Sequence, residues 1–321
     1  MISQRIGRTG VHVSALGFGA APLGNLFTPI DDGQAHATVD AAWDAGIRYF
    51  DTAPHYGLGL SERRLGVALA QRPREQFTIS TKVGRLLEPN RAPTGSDLAA
   101  GGFAVPDDLT RRFDFSSDGV LRCLEGSLAR LGLDRVDLVY VHDPDEHLDT
   151  ALRHALPALV SLREEGVIGA VGVGTNTVGP LLRVVDEADV DAVMVAGRWT
   201  LLDRTARPLL DACAAQGVSL IAGAPFNSGV LSRPYPVRGA TFDYGPAPDA
   251  VMRRVQLLAD ATARHGSVLP HAAIRFPLRS PEVACVVAGF RSPDEASSAA
   301  RWADRDLPEA AWEEIERAAA G

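Results

Sequence analysis

Residues 46–57 read Gly46-Ile47-Arg48-Tyr49-Phe50-Asp51-Thr52-Ala53-Pro54-His55-Tyr56-Gly57. A glycine that can stop a helix is followed by a short apolar run, Ile47–Asp51, which ends on a carboxylate and enters a loop bounded by Pro and Gly. Upstream, Asp31 or Asp32 can cap a helix whose apolar positions Ala35, Val39, Ala42 and Trp43 share one face. The phrase recurs. Strands are expected at Leu16–Ala20, Ile47–Asp51, Thr78–Lys82, Val136–His142, Val167–Gly174, Ala192–Gly197, Val218–Ala222 and Val283–Ala288. Their starts lie 31, 31, 58, 31, 25, 26 and 65 residues apart, and a spacing near ~30 residues is one strand plus one crossover helix. The two long gaps are expected to be the same unit with inserted loops and no further strand. Gly132 after Val120–Leu131, Gly166 after Leu148–Glu165 and Gly217 after Leu209–Gln216 repeat the helix stop. Eight strands alternating with helices, several apolar on both faces, predict an α/β fold: a closed parallel (β/α)8 TIM barrel ringed by helices.

The competing architecture is an open doubly wound sheet with a second domain. No Pro/Gly/Ser linker or composition shift divides the chain, and the Gly-x-Gly-x-x-Gly fingerprint is missing, since Gly24 falls two places late after Gly17-Phe18-Gly19. The expectation is one domain over residues 1–321, with long active-site loops at 84–113 and 224–250. The stretch Arg5–Val13 reads as a hairpin closing the barrel bottom, and Pro308–Ala320 as an outer helix with Trp312 and Ile315 on its packing face.

Among 321 residues, 32 Lys+Arg face 40 Asp+Glu, a net charge of −8, with 46% hydrophobic and 22% charged residues. That balance is globular, and an acidic chain without a basic block argues against nucleic acid or anionic membrane as partner. Cys123, Cys213 and Cys285 are too scattered for a disulfide framework. No signal peptide or membrane-spanning run is visible, which points to a cytoplasmic protein, a monomer or small homo-oligomer.

In such barrels chemistry sits at the C-terminal strand ends. Three consecutive expected strands end at Asp51, Lys82 and His142, and Tyr56 lies five residues beyond the acid. A free phenol titrates near ~10 and is a poor base at neutral pH. A nearby ammonium lowers that value, and a buried ammonium in turn needs a carboxylate. Asp51 holding Lys82, Lys82 lowering the pKa of Tyr56, and His142 orienting a substrate oxygen would make a proton-transfer relay. Taken singly, each has a plain structural reading: a cap, a rim lysine, a loop aromatic, a polar turn. His142 and His147 are separated by Pro144, so they do not share a helix face, and no metal is expected.

The segment 46–57, with Ser61-Glu62 and Leu65-Gly66 after it, resembles the signature of the aldo-keto reductases. So do the hairpin, the strand Ile79–Lys82 and the run Leu131–Asp137. The resemblance spans nearly the whole chain. It implies a barrel that binds NADP(H) or NAD(H) without a Rossmann fold, with Asp51, Tyr56, Lys82 and His142 as catalytic tetrad. Arg112–Ser116 with Asp118–Val120, and Val141–Asp145, resemble the aldose 1-dehydrogenase branch, whose members act on L-fucose, D-threo-aldoses or L-galactose, beside a branch that oxidises pyridoxal. The implied reaction is oxidation of a sugar's C1 hydroxyl to the lactone. A pyridoxal dehydrogenase or a broad aldehyde reductase would keep the same tetrad. So would a redox-sensing regulatory subunit like the potassium-channel β-subunits, which would also need an apolar docking patch that the sequence does not display.

The resemblance also implies cofactor contacts at Gly19, Ala20, Asp51, Thr175 and Asn176. Further contacts fall on the loop Pro225, Phe226, Asn227, Ser228, Gly229 and Leu231, and on Gly289, Arg291, Ser292 and Glu295 near the adenosine. The family's strand-six glutamine is Ala196 here, and its late Glu-Asn pair is Ser298-Ala299. Glu295 would repel a 2′-phosphate that Arg291 or Ser292 would attract, so coenzyme preference stays open. Phe18, Trp199, Tyr56 and His142 are the expected substrate contacts, with the Gly/Pro/Asp-rich insertion 84–113 as a lid.

Overall fold

The computed structural model describes residues 1–320. The chain opens with a hairpin, β1 (Ser3–Arg5) antiparallel to β2 (His12–Ser14). Then come β3 (Leu16–Gly19), α1 (Asp32–Asp44), β4 (Tyr49–Asp51), α2 (Leu60–Leu69) and β5 (Thr78–Val83). An insertion carries β6 (Arg85–Pro89), α3 (Leu98–Gly101) and β7 (Leu109–Phe113). The alternation resumes with α4 (Ser117–Leu131), β8 (Leu138–His142), α5 (Leu148–Thr150), α6 (Leu156–Glu164), β9 (Ala170–Thr175) and α7 (Val178–Glu187). After β10 (Ala192–Ala196), α8 (Arg207–Gln216) and β11 (Ser219–Gly223), a small ribbon pairs β12 (Thr241–Phe242) with β13 (Gly245–Pro246). The chain ends with α9 (Asp249–Arg264), α10 (Leu269–Leu278), β14 (Val283–Gly289), α11 (Pro293–Ala303) and α12 (Glu309–Ala320).

β3, β4, β5, β8, β9, β10, β11 and β14 pair in that order, all parallel, and β14 returns to β3. The eight expected strands are these eight, some of them shorter. Ile47 lies in the connection after α1 and is tied back to it, its N–H donating to Ala42 O at 3.0 Å, and β4 starts at Tyr49. Asp31 is the α1 cap, its carboxylate accepting from Gln34 N at 2.7 Å. Gly46, Gly132, Gly166 and Gly217 all stop helices at positive φ.

Strand alternation sorts the barrel into two shells. Tyr49, Leu138, Tyr140, Met194, Ile221, Cys285 and Val287 form an inner core, and Ile6 and Val13 of the hairpin close it at the N-terminal end. Phe18, Phe50, Ile79, Val139, Val141, Val193 and Val286 point outward into the layer shared with the helices. Phe50 is fully buried, a contribution of about 1.5–3 kcal/mol. The same parity sends Asp51 and Lys82 inward from the strand ends. Trp312 and Ile315 of α12 are buried where that helix packs on α9.

Three expectations need correction. The first long gap does contain strands: β6 and β7 form an antiparallel ribbon from Arg85↔Phe113 to Pro89↔Leu109. It is half-buried and flanked by breakers, so its pattern is weak. The second gap holds the β12–β13 ribbon. The helix expected over 148–165 is interrupted by a π-turn at Ala151–Ala155, just before Pro157, which has no N–H to return to the preceding turn. Among the described residues, no helix is long and apolar enough to cross a membrane.

Candidate active site

At the C-terminal mouth the four residues expected to act together converge. Lys82 Nζ donates to Asp51 Oδ2 at 2.6 Å and to Thr52 O at 3.0 Å, and both side chains are almost fully buried. Asp51 Oδ1 accepts from Ser80 Oγ at 2.7 Å. The Tyr56 ring centroid lies 4.8 Å from Lys82 Nζ and 5.9 Å from the His142 ring, which meets it edge-on at 88°. His55 completes the group, 5.7 Å from His142 and 5.2 Å from Phe103.

Charge is placed unevenly. Burial works against the Lys82 ammonium, but Asp51 and the neighbouring phenol outweigh it and hold its pKa above the ordinary value. Burial, with Arg85 and Lys82 nearby, drives His142 well below the ordinary imidazole range. The same causes, with Arg111, push His55 down to about 2. Both rings are therefore neutral. For Tyr56, burial outweighs the expected effect of Lys82 and the net pKa lies above the ordinary value. Lys82 does pull the phenol down, but burial is larger and pushes it up to about 12. In this state Tyr56 is a proton donor.

The Tyr56 loop is seated backbone-on-backbone. A Cβ on Gly24 would lie 2.6 Å from Tyr56 C, and one on Gly57 would lie 2.3 Å from Gly24 O. Two residues of the following helix anchor the neighbouring strands. Ser61 Oγ donates to Ala20 O at 2.7 Å, and the fully buried Glu62 accepts from Thr81 Oγ1 at 2.8 Å and Arg130 Nε at 2.5 Å.

A polar rim surrounds the tetrad. Asp143, at φ +44°, carries a carboxylate that accepts from Arg85 Nη2 and lies 3.6 Å from His142 Nε2. Arg111 forks onto Asp97 at 2.6 Å twice and donates to His55 O at 2.9 Å. His55 Nδ1, His142 Nδ1, Arg85 Nε and Arg111 Nε are buried without partners. The sequence reading missed Gly24, His55, Asp143, Arg85 and Arg111 as parts of the site. His55 and Asp143 lie inside the signature segments, and Arg85 follows Lys82 by three residues, so proximity to the strand ends was the available signal.

The Aldo/keto reductase family description matches residues 15–320. This chain belongs to the aldo/keto reductase family. It is similar to a D-threo-aldose 1-dehydrogenase of a Pseudomonas species, 48% identical over 96% of this chain and 95% of that one. It is also similar to the pyridoxal 4-dehydrogenase of Microbacterium luteolum, 38% identical over 96% and 95%. The holo form of aldo-keto reductase AKR11C1 from Bacillus halodurans superposes with TM-score 0.78 at 26% identity, covering 99% of this chain and 96% of that one. As an aldo/keto reductase the chain is an oxidoreductase acting on CH–OH groups, and its family generally uses NAD(P)H.

The remaining aldo/keto reductase positions are distributed as follows. Gly19 ends β3, where a Cβ would stand 3.0 Å from Val287 Cγ1, and a Cβ on Gly289 would stand 2.9 Å from Pro22. Ala20 is buried beside them. Thr175 donates to Asp145 Oδ2 at 2.8 Å, and Asn176 Nδ2 to Tyr244 OH at 3.4 Å. After Pro225 and Phe226, residues Asn227, Ser228 and Gly229 all lie at positive φ, in a tight turn whose Asn227 N donates to Ala224 O at 3.1 Å and whose Gly229 N donates to Phe226 O at 3.0 Å. Asn227 Oδ1 is buried without a partner. The Asn176 amide and the Ser228 hydroxyl, which accepts from Tyr244 N at 3.0 Å and keeps its own hydrogen to donate, are the polar groups here that fit a dinucleotide.

Several expected contacts are engaged elsewhere. The Leu231 side chain is in the outer core and its N–H donates to Phe226 O. Arg291 donates to Leu26 O at 2.7 Å and Thr28 O at 2.5 Å, pinning that loop. Ser292 Oγ accepts from Glu295 N at 3.3 Å while Glu295 Oε2 accepts from Arg291 N at 2.7 Å, a capping arrangement at the start of α11. Phe18 does not wall the mouth: it points outward against Phe50 and Phe290, at 5.9 and 5.5 Å. Trp199 packs on Phe276 of α10 at 5.5 Å and donates to Ser280 Oγ at 3.1 Å, inside the helix layer.

Proposed function

We propose that this aldo/keto reductase oxidises the C1 hydroxyl of a small aldose to the lactone, with NAD(H) or NADP(H) as coenzyme. The carrying observation is the Lys82 ammonium, bonded to Asp51 at 2.6 Å and standing 4.8 Å from the Tyr56 ring beside a neutral His142. When bound, the nicotinamide supplies the hydride acceptor at the C1 carbon. Tyr56 takes the hydroxyl proton in that direction and returns it in reduction. Lys82 favours the phenolate that oxidation requires, and neutral His142 hydrogen-bonds the C1 oxygen. Asn176 would hold the carboxamide end, and the Ser228 hydroxyl the phosphates.

Two supports favour a sugar over pyridoxal. The relative named for D-threo-aldoses is more similar than the one named for pyridoxal. The rim pairs a carboxylate acceptor, Asp143, with a guanidinium donor, Arg85, and vicinal hydroxyls satisfy both at once. The test is kinetic. Tyr56→Phe is expected to abolish turnover with coenzyme binding retained. L-fucose, D-arabinose and L-galactose are expected to outrun pyridoxal and nitrobenzaldehyde, with each coenzyme assayed. Turnover near wild type in Tyr56→Phe removes the proposed acid/base, and inert aldoses beside active pyridoxal replace the substrate.

A further inference from the structure

Beneath the tetrad, inside the barrel, lies a line of hydroxyls that proton transfer at Tyr56 does not itself use. Tyr140 OH is 3.2 Å from Tyr49 OH, Tyr49 OH is 2.9 Å from Ser80 Oγ, and Ser80 Oγ donates to Asp51 Oδ1 at 2.7 Å. All are buried in the inner shell. The direction follows from counting protons. Ser80 spends its one hydrogen on a carboxylate that can only accept, so Ser80 must accept from Tyr49, and Tyr49 in turn from Tyr140. Three dipoles therefore run head to tail onto Asp51, and such chains polarise one another.

The barrel makes room for this line. A Cβ on Gly17 of β3 would stand 2.7 Å from Tyr49 Cδ1, and one on Gly172 of β9 would stand 2.6 Å from Tyr140 Cδ1. Phenylalanine would fill the same space without a buried hydroxyl to satisfy. Two tyrosines, with space left by two glycines, thus build a polar line where an apolar one would pack as well.

We propose that Tyr140, Tyr49 and Ser80 are positioning residues: a directed hydroxyl chain that disperses the Asp51 charge and thereby sets the pH at which Tyr56 exchanges its proton. The inference rests on the acid/base role proposed for Tyr56. Asp51 acts on the phenol in the upward sense, opposing Lys82, and Asp143 adds to it. Facing these groups are Tyr140 from β8 and Cys285 from β14 below Asp51, and Arg85, His55 and His142 around Tyr56. Removing hydrogen bonds from Asp51 concentrates its charge, so the phenol keeps its proton to higher pH.

The experiment is the pH profile of kcat/KM for aldose oxidation, with thermal unfolding alongside. Ser80→Ala is expected to move the rising limb about one pH unit to the alkaline side, and Tyr49→Phe about half as far. Tyr49→Phe also orphans the Tyr140 hydroxyl and lowers the melting temperature. The double variant Tyr49→Phe/Tyr140→Phe is expected to regain that stability while keeping the displaced profile. Profiles superimposable on wild type in Tyr49→Phe, or a double variant in which profile and stability recover together, overturn the inference and leave the tyrosines as core filler. Should Ser80→Ala fail to fold, the tyrosine pair decides. A wild type inactive on every substrate with both coenzymes brings down the functional reading and this inference with it, whereas an active wild type with unmoved variants overturns the inference alone.

Discussion

Replacing Gly24 by alanine tests how the Tyr56 loop is held. Gly24 lies outside the left-handed region, so alanine meets no backbone strain and its only penalty is contact. The added Cβ would stand 2.6 Å from Tyr56 C and 2.8 Å from Tyr56 O and Gly57 N, whereas ordinary contact begins at 3.4 Å. The obstacle is backbone, so the loop must retreat by the difference, 3.4 minus 2.6, or about 0.8 Å. Retreat is resisted because Tyr56 N donates to Ala53 O at 3.1 Å and Ser61 N to Tyr56 O at 3.2 Å, fixing both sides of the turn. The phenol moves with its backbone, and a displacement approaching 1 Å in a reacting group costs up to about 100-fold in rate. Gly24→Ala is thus expected to lower kcat by about 10- to 100-fold in both directions and stability by about 1–3 kcal/mol. Coenzyme affinity by fluorescence titration is expected to stay unchanged. Gly10→Ala, with nothing within 4 Å of the new methyl, is the control and is expected to be silent. A folded Gly24→Ala enzyme with wild-type kcat would refute the argument that this close approach seats Tyr56.

Three further predictions concern charge. Lys82→Met leaves Asp51 buried without its counter-ion; kcat is expected to fall at least about 100-fold, with a stability loss of about 3–5 kcal/mol by urea titration. His142 and His55 have folded pKa values below the unfolded one, so the unfolded chain binds more protons below pH ~6.5 and stability falls as pH drops through that value. Each histidine contributes a slope of about 1.4 kcal/mol per pH unit, and unfolding curves from pH 7 to 5 that coincide contradict it. Arg291→Ala is expected to lower thermal stability, because the 26–28 loop loses two hydrogen bonds, while the ratio of NAD to NADP efficiency stays as in wild type. A tenfold change in that ratio would return Arg291 to the coenzyme.

How much of this was legible in the amino-acid order depends on the range of the interaction. The barrel was readable because each strand–helix unit is a local pattern closed by a glycine, and Asp51, Lys82 and His142 were readable because they sit in phase with strand ends. Phe18 was misplaced although the information was at hand: Gly17 and Gly19 face inward, so the residue between them must face the helices. The burial that lifts the Tyr56 phenol was not legible, because it depends on what the loop packs against. Nor was the hold of Leu26 and Thr28 on Arg291, made across more than 260 positions. The ribbon β6–β7 escaped because its residues are only half covered, which blurs their alternation.

That ribbon leaves the barrel at Arg85, three positions past Lys82, and rejoins it before Ser117. Both rim arginines, Arg85 and Arg111, travel on it, whereas the tetrad does not. The arginine half of the proposed sugar-binding rim and the tetrad are therefore carried on different lengths of polypeptide, while its acidic half, Asp143, stays beside His142. A transplant of residues 85–113 between homologues would exchange the arginines at the mouth and keep all four tetrad side chains, while altering the charge that those arginines place on His55 and His142.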